Sequence, residues 1–366
     1  MTLAKHLGAA VLLGAVLLAA SYQLGSYHDY QLAEVAAFVV AVAGLTVLIG
    51  VSGQISLGHG AFMAIGAYAA ALIMTHLGWP LYLIIIASAL ITAAAGAIVG
   101  VAAARLRGPY LAGATLMLAV ALPSVADRYQ GVLGGDQGVN INVTAPGFLG
   151  PAFQLTQWLA WICCATALVV LVLLANLMRS GIGRGWRAVR DDEVAAALSG
   201  LNVARLQVLA FVVSSACAGA GGCLLAVVTA NVSPGAFTLT LSVGLLTAAV
   251  LGGLGSLAGA VWGSLLFVLA PTFLTNLAAS HGLSGGASSS VPIAAYGLVL
   301  IVVMLAFPAG IQGGVRRLLG LAAPAAGAPL SALRRPAWPR ATPDQGTANG
   351  PHQGTQVNRE EKGTTP

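Results

Sequence analysis

Residues 33–77 read AEVAAFVVAVAGLTVLIGVSGQISLGHGAFMAIGAYAAALIMTHL, two apolar runs joined by a short segment of glycine and polar residues. An α-helix rises about 1.5 Å per residue, so about 20 apolar residues cross a hydrocarbon core of about 30 Å. Both runs therefore predict membrane-spanning helices. The segment between them predicts a break in helical structure close to the membrane.

The rest of the chain repeats this pattern. Of the 366 residues, 58% are hydrophobic and 7% are charged, whereas a typical soluble domain has about 25% charged residues. We therefore expect an all-α integral membrane protein, a bundle of about ten transmembrane helices (8–10) with broken or re-entrant Gly-rich segments. The third, eighth and ninth segments carry the glycine interruptions. The predicted segments are 7–24, 33–51, 58–77, 81–104, 109–127, 156–178, 207–229, 239–254, 257–279 and 291–309.

The basic residues give the predicted orientation. With the N-terminus on the cytoplasmic side, all of the 16 lysines and arginines except Arg128 fall on that side, as the positive-inside rule requires. Residues 1–20 resemble a signal peptide, but a retained helix is favoured, and both alternatives give the same topology. Residues 1–320 are predicted to form one transmembrane domain. Residues 321–366, rich in Ala, Pro, Gly and Thr, are predicted to be a disordered cytoplasmic tail.

The break between the first two quoted runs has two interpretations. Unwound backbone in transporters often lines the solute path. Alternatively, the segment is a tight cytoplasmic turn in which Ser56 is a helix N-cap. His59 alone is more typical of a hydrogen-bonded structural histidine than of a proton relay. The candidate residues of this segment are Gly53, Gln54, Ser56, Gly58, His59 and Gly60.

The loop 179–206 is the longest polar segment between predicted spans. Within it, residues 186–199 predict a short amphipathic helix that ends at Gly200. Arg187, Arg190 and Asp191 are spaced to share one helix face and to form ion pairs. Such a helix lies either on lipid headgroups or in a groove of a cytoplasmic partner. Its charges of both signs and its many alanines favour the protein partner.

The sequence lacks the residues that several functional classes require. The only lysines are Lys5 and Lys362, and no phosphate-binding loop motif exists, so the chain cannot hydrolyse ATP by that route. No carboxylate is predicted deep in a span, which argues against ion coupling. No metal or other cofactor is expected in this chain, and its net charge of +6 marks the cytoplasmic side rather than nucleic-acid binding. Four cysteines are predicted to be small buried residues: Cys163, Cys164, Cys217 and Cys223.

Four sequence blocks occur in the order typical of one transporter family. Over residues 44–313 the chain resembles the branched-chain amino acid permease family of bacterial ABC importers, specifically its M-type subunit. The blocks are Ser56–Tyr68, Arg105–Ala112 with Thr115 and Leu116, Val232–Phe237, and Val250–Ser256.

This resemblance implies a permease that moves branched-chain amino acids, or related small polar solutes, across the bacterial inner membrane. It also implies a second permease subunit, two cytoplasmic ATPase subunits that hydrolyse the ATP, and a periplasmic binding protein. No catalytic residue is expected here. The implied path residues are those of the break together with Tyr110, Thr115, Gly252, Gly253, Gly255 and Ser256. For ATPase coupling, the resemblance implies Glu193, Ala195, Ala196 and Gly200, and the shared helix face adds Arg187, Arg190 and Asp191 to the predicted set.

The chain departs from the family pattern at four positions. Ala197 and Gly244 stand where the family often has acidic residues, Ala260 where proline is common, and Leu133 where threonine is usual. Three alternatives stay open. They are an ABC permease for urea, short amides or aromatic acids, a gradient-driven carrier or channel, and a structural membrane subunit.

Overall fold

The computed structural model describes residues 25–105, 109–143, 154–280, 286–306 and 310–315. Three predictions lie outside these residues: the first span at 7–24, the signal-like segment 1–20 and the tail 321–366. Arg107 and Gly108 of the second sequence block lie outside them as well.

The described chain is mostly helical, with one short pair of strands. The helices are α1 (Ser26–Val51), α2 (His59–Leu77), α3 (Leu81–Ala103), α4 (Pro109–Arg128), α5 (Gln130–Leu133), α6 (Leu155–Arg179), α7 (Gly181–Asp191), α8 (Glu193–Leu198), α9 (Val203–Thr229), α10 (Leu239–Gly252), α11 (Leu257–Ser280) and α12 (Gly286–Ala306). The strands are β1 (Val139–Asn140) and β2 (Asn231–Val232). Two short 3₁₀ helices cover Gly135–Gln137 and Pro234–Phe237.

Seven of the described helices are long and apolar enough to cross a membrane: α1, α2, α3, α4, α6, α9 and α11. They coincide with seven of the predicted segments. The eighth segment, 239–254, corresponds to α10, which has 14 residues. Its length is about 21 Å, shorter than a hydrocarbon core of about 30 Å. The apolar part of α12, Ala294–Ala306, is also short. The full-length spans among the described residues are therefore fewer than the ten predicted.

The glycine interruptions lie between helices rather than within the third and ninth predicted segments. Both α2 and α11 are continuous, and the breaks precede them at residues 52–58 and 253–256. The glycines inside these two helices serve close packing instead. A Cβ on Gly259 would lie 2.6 Å from the Gly252 carbonyl oxygen, so the backbones of α10 and α11 approach closely there.

Helices α1 and α9 form the centre of the bundle. Both are buried over most of their length, as expected for helices that are apolar on all sides. Helix α9 packs against α1, α2 and α3, while α6 and α11 pack against α1. In lipid the hydrophobic effect does not drive helices together, so small residues matter because they allow close backbone approach. Gly96 and Gly100 of α3 allow such an approach, since they face Ser215 and Phe211 of α9.

The two ends of the bundle differ in structure. At one end, which we call the strand end, β1 pairs with β2 in antiparallel register, with Val139 opposite Val232. The Asn231 side-chain amide donates to Asn140 Oδ1 at 2.9 Å. At the other end, which we call the loop end, lie the short helices α7 and α8. The four cysteines lie within the bundle and are buried, which confirms that prediction.

The predicted single helix at 186–199 is wrong. Helices α7 and α8 are separate because the chain is extended at Asp192, with φ −159° and ψ 110°. The Asp192 carboxylate accepts hydrogen bonds from the backbone N–H groups of Val194 at 2.8 Å and Ala195 at 3.0 Å. Aspartate is among the preferred N-cap residues because it satisfies these free donors. The cap starts a new helix and redirects the chain.

A close contact of α2 with α9 provides a test of this packing. A Cβ on Gly66 would lie 2.6 Å from the Gly219 carbonyl carbon. We expect Gly66→Leu to destabilise the protein by about 1–3 kcal/mol through overpacking. The measurement is thermal unfolding in detergent.

Gly113→Leu is the matched control, because a Cβ on Gly113 meets nothing within 4 Å. An unchanged or higher melting temperature is expected for this control. Equal melting temperatures for the two variants would contradict the assigned packing.

Candidate functional site

The first break follows a change of helical type in α1. The last turn, Val47–Val51, is π-helical. Beyond it, the backbone N–H groups of Ser52, Gly53 and Gln54 donate to carbonyls of this same turn. Their acceptors are the carbonyl oxygens of Val47 at 3.0 Å, Ile49 at 3.2 Å and Leu48 at 3.1 Å, respectively. Gly53 has a φ of 78°, a conformation that favours glycine. The chain therefore unwinds while these backbone groups stay hydrogen-bonded.

Side chains in and around the break form hydrogen bonds with further polar groups of this segment. The Leu57 N–H donates to Thr115 Oγ1 of α4 at 3.0 Å. The Gln54 side-chain amide donates to Ser52 Oγ at 2.6 Å. Ser56 Oγ accepts from the Gly58 N–H at 3.4 Å, and the N-cap residue of α2 is Gly58. The interpretation of Ser56 as the helix N-cap is therefore wrong.

The start of α2 is held by two other helices. The Gly60 N–H, which has no partner within its own helix, donates to Ser242 Oγ of α10 at 3.1 Å. His59 is 1% exposed, and its Nε2 lies 2.9 Å from the Ala41 carbonyl oxygen of α1. A ring N–H that donates to a backbone carbonyl is the arrangement of a structural histidine. His59 thus fixes α2 against α1.

The second break, 253–256, lies directly against the first. Gly253 and Gly255 have φ values of 115° and 80°. A Cβ on Gly50 would lie 2.7 Å from the Gly255 Cα, and a Cβ on Gly310 would lie 2.6 Å from the Gly253 nitrogen. We call these four residues the glycine junction. Ser256 then caps α11, since its Oγ accepts from the Gly259 N–H at 3.4 Å.

An arginine of the loop end joins this junction. Arg190 Nη1 of α7 donates to the Gly50 carbonyl oxygen. The last carbonyls of a helix lack intrahelical donors, and a cation is stabilising at this negative end of the helix dipole. A Cβ on Gly53 would lie 2.8 Å from Arg190 Cγ, so the arginine stem also packs on the break. The polar loop and the break are therefore in direct contact.

Other contacts fasten the loop to α6 and α9. Trp186 is fully buried, and its Nε1 donates to the Leu206 carbonyl at 2.8 Å. Glu193 accepts from the Gln207 side-chain amide at 2.9 Å. Arg187 does not join the predicted group of ion pairs, because its Nη2 donates to the Met178 carbonyl at 2.6 Å.

One ion pair of the predicted set is present, but it is weak. Arg190 Nε lies 4.0 Å from Asp191 Oδ1, and both side chains are largely exposed. Solvent screening leaves such a pair little energy. The hydrogen bond of Arg190 to Gly50 is therefore the more important contact of this arginine.

Helix α8 presents an apolar face to its surroundings. Val194 is 69% exposed and Leu198 is 85% exposed, and they lie four residues apart on one side of the helix. Ala197 is exposed beside them, whereas Ala196 is buried. This face, Val194, Ala197 and Leu198, is called the α8 face below.

The family model of the branched-chain amino acid transport system permease component matches residues 27–308. The chain belongs to this family. The match covers both breaks, the glycine junction apart from Gly310, and the loop end. Members with known roles are transporter components rather than enzymes. The family match and the seven apolar helices together identify the chain as a multi-pass membrane protein.

Curated relatives in this family are about 30% identical to the chain over the aligned residues. The high-affinity branched-chain amino acid transport system permease protein LivM of Escherichia coli (strain K12) is 31% identical over 255 residues, 63% of this chain and 60% of the relative. The chain thus spans about 60% of the length of such LivM proteins. BraD of Pseudomonas aeruginosa, with a similar description, is 30% identical over 292 residues, 75% of this chain and 91% of the relative.

A solved structure titled PsaBC from Streptococcus pneumoniae in complex with Fab is a more distant match. It covers 84% of this chain and 99% of its own, with 17% sequence identity and a TM-score of 0.41. A similarity at this level carries no argument about fold or function.

The residues predicted for the path of this permease-family chain lie in different surroundings. The break residues lie between Thr115 of α4 on one side and Gly255 of the glycine junction on the other. Gly252 packs against Gly259. Tyr110 is 77% exposed at the start of α4.

Gly200, from the predicted coupling set, has a φ of 84° and ends the turn after α8. There the Leu201 N–H donates to the Ala196 carbonyl at 3.1 Å.

Sequence reasoning missed four residues of this site: Gly50, Asp192, Gln207 and Ser242. Asp192 had a recognisable signal, an acidic residue before a run of helix-forming residues. The other three are defined by contacts between helices distant in sequence. Within the described ranges, no group of three or more His, Cys, Asp or Glu side chains is arranged to hold a metal ion.

Arg190→Gln tests the contact between loop and break. We expect faster hydrogen exchange of the backbone amides of residues 52–58, because the Gly50 carbonyl loses its donor and the π-helical turn loosens. The measurement is hydrogen–deuterium exchange of the purified full chain by mass spectrometry.

Arg184→Gln, from the same helix, is the control, since among the described residues the Arg184 side chain donates to the nearby Arg179 carbonyl and not to the break. Its exchange in residues 52–58 is expected to equal that of the wild type. Equal exchange in Arg190→Gln and wild type would show that the contact does not hold the break.

Proposed function

We propose that the chain is a permease subunit of an ATP-binding-cassette importer for branched-chain amino acids or related small polar solutes. The observation that carries the proposal is the direct contact of Arg190 of the loop end with the first backbone break, which in turn packs against the second break at Gly50 and Gly255. Relatives described as branched-chain amino acid transport system permease proteins support the solute class. In this proposal, ATP hydrolysis by two separate cytoplasmic ATPase subunits drives transport, and this chain needs no cofactor of its own.

The proposed path runs along the break on the face that the chain leaves open. Gly53 and Ile55 of the break are exposed, and Ile55 is 52% exposed. Gln54, Ser56, Gly58, His59 and Gly60 lie behind this surface and are buried. A second permease subunit would cover the open face and complete the path. The buried break residues and Thr115 then shape the path, while Tyr110 contacts the partner or the solute.

The proposed coupling route begins at the α8 face. An exposed apolar face beside a charged loop suits insertion into a cleft of an ATPase subunit. Movement of α8 would displace α7, because Asp192 links the two helices and Trp186 anchors α7 to α9. Arg190 then acts directly on the Gly50 carbonyl and thus on both breaks. In this scheme Arg187, Glu193, Ala195, Ala196 and Gly200 fix the geometry of the docking helix.

The membrane arrangement completes the proposal. We assign the loop end and both termini to the cytoplasm of a bacterial cell and the strand end to the periplasm, where a solute-binding protein would dock. About ten spans follow if residues 7–24, α10 and α12 also lie in the membrane. Helix α10 would then be part of a broken span, since breaks or short connections precede and follow it.

ATP-dependent uptake tests this function. The tagged full chain is purified in mild detergent with its co-purifying subunits, reconstituted in liposomes with ATP inside, and supplied with its binding protein and radiolabelled leucine. We expect co-purification of two ATPase chains and uptake that needs ATP. Uptake without ATP, or recovery of the chain alone under conditions that hold a known importer together, would contradict the proposal.

Leu198→Asp separates docking from folding in the same assay. We expect at least a tenfold loss of co-purified ATPase and of uptake, because the charge disrupts an apolar interface. Val132→Asp at the strand end is the control, since Val132 is 58% exposed and lies on α5. Its ATPase recovery is expected to be unchanged. Full ATPase recovery with Leu198→Asp would show that the α8 face is not the docking surface.

A further inference from the structure

A groove at the loop end combines apolar walls with two arginines. It lies between the end of α3 and the start of α9, and its cavity volume is about 560 Å³. Val101, Val208 and Val212 contribute apolar walls, and Arg105 and Arg205 line the same cavity. These two arginines are 100 residues apart in the sequence, so only the packing of α3 on α9 brings them together.

The groove lies where the membrane interface is expected. Helix α3 ends at Ala103 and α9 begins at Val203, and both are long and apolar enough to cross the bilayer. The arginines are therefore at the level of lipid phosphates, while the valines extend toward the hydrocarbon. Deeper in the bundle the groove closes, because Gly100 packs against Phe211 and Val208, and Gly96 against Ser215.

The two guanidinium groups have no protein partner in the part of the chain that the structure describes. No acidic residue is among those that line the cavity. A guanidinium binds a phosphate through paired hydrogen bonds, and basic pockets between membrane helices suit anionic headgroups. A soluble anion would use the arginines but not the apolar walls, whereas an anionic phospholipid uses both.

We propose that this groove binds one anionic phospholipid, with its phosphate between Arg105 and Arg205 and an acyl chain along Val101, Val208 and Val212. The site is distinct from the breaks and from the α8 face. The lipid would join α3 to the first turn of α9, which follows directly after the loop that carries α8. Its binding does not depend on the transported solute.

Native mass spectrometry of the full chain with its co-purifying subunits tests the proposal. The probes are phosphatidylglycerol, phosphatidylcholine with the same acyl chains, and inorganic phosphate. We expect at least tenfold tighter binding of phosphatidylglycerol than of phosphatidylcholine. The double variant Arg105→Gln/Arg205→Gln is expected to lose that preference, whereas Arg184→Gln, an arginine of the same end outside the groove, retains it.

A second variant tests the acyl chain separately from the charge. Ala204 is exposed and lines the cavity, so Ala204→Trp is expected to fill the groove and weaken phosphatidylglycerol binding about tenfold with both arginines present. Equal binding of the two lipids, an unchanged preference in the double arginine variant, or full binding in Ala204→Trp would each overturn the proposal. Displacement of phosphatidylglycerol by millimolar inorganic phosphate would also overturn it, because the site would then bind a free anion. Cross-linking of Arg205→Cys to a co-purified subunit would show a protein occupant instead.

Discussion

Backbone N–H and C=O groups must be satisfied within the protein wherever a chain lies in hydrocarbon. The chain unwinds twice, at residues 52–58 and 253–256, and so exposes backbone groups that a continuous helix would pair. At the first break, Thr115, Ser242 and Arg190 supply missing partners from three different helices. The need to pair these groups therefore determines that α4, α10 and α7 lie next to the breaks.

The glycine junction makes the two breaks one unit. A side chain on Gly50 would displace the Gly255 backbone, Gly255 itself has a φ of 80° that favours glycine, and a side chain on Gly310 would displace the Gly253 backbone. Because glycine lacks a side chain, few side chains interlock between the two breaks. The hydrogen bonds of Arg190 with Gly50 and of Gly259 with Ser256 hold the two breaks in place. In the proposed function, a movement of Arg190 acts on both breaks together. This is the physical basis for assigning the polar loop to coupling and the breaks to the path.

The sequence was sufficient for the helices and insufficient for their contacts. Apolar length predicted the seven full-length spans, because this property is local. The division of the loop at Asp192 was also within reach, since an N-cap signal stands in the sequence. The contacts of Gly60 with Ser242, and of Gly50 with Gly255 and Arg190, could not be predicted. They join positions more than 100 residues apart, and no periodicity encodes which of many glycines and serines will meet.

Labelling of Ile55→Cys is a direct test of whether the break at residues 52–58 lines the proposed transport path. The native cysteines are buried, so a charged thiol reagent is expected to modify the new cysteine selectively in reconstituted complexes. Ile98→Cys on α3, where Ile98 is 75% exposed, is the control for a surface facing lipid. If the break lines the path, labelling of Ile55→Cys blocks leucine uptake, solute delivered by the binding protein slows the labelling, and Ile98→Cys shows neither effect. Complete labelling of Ile55→Cys with uptake unchanged would contradict it.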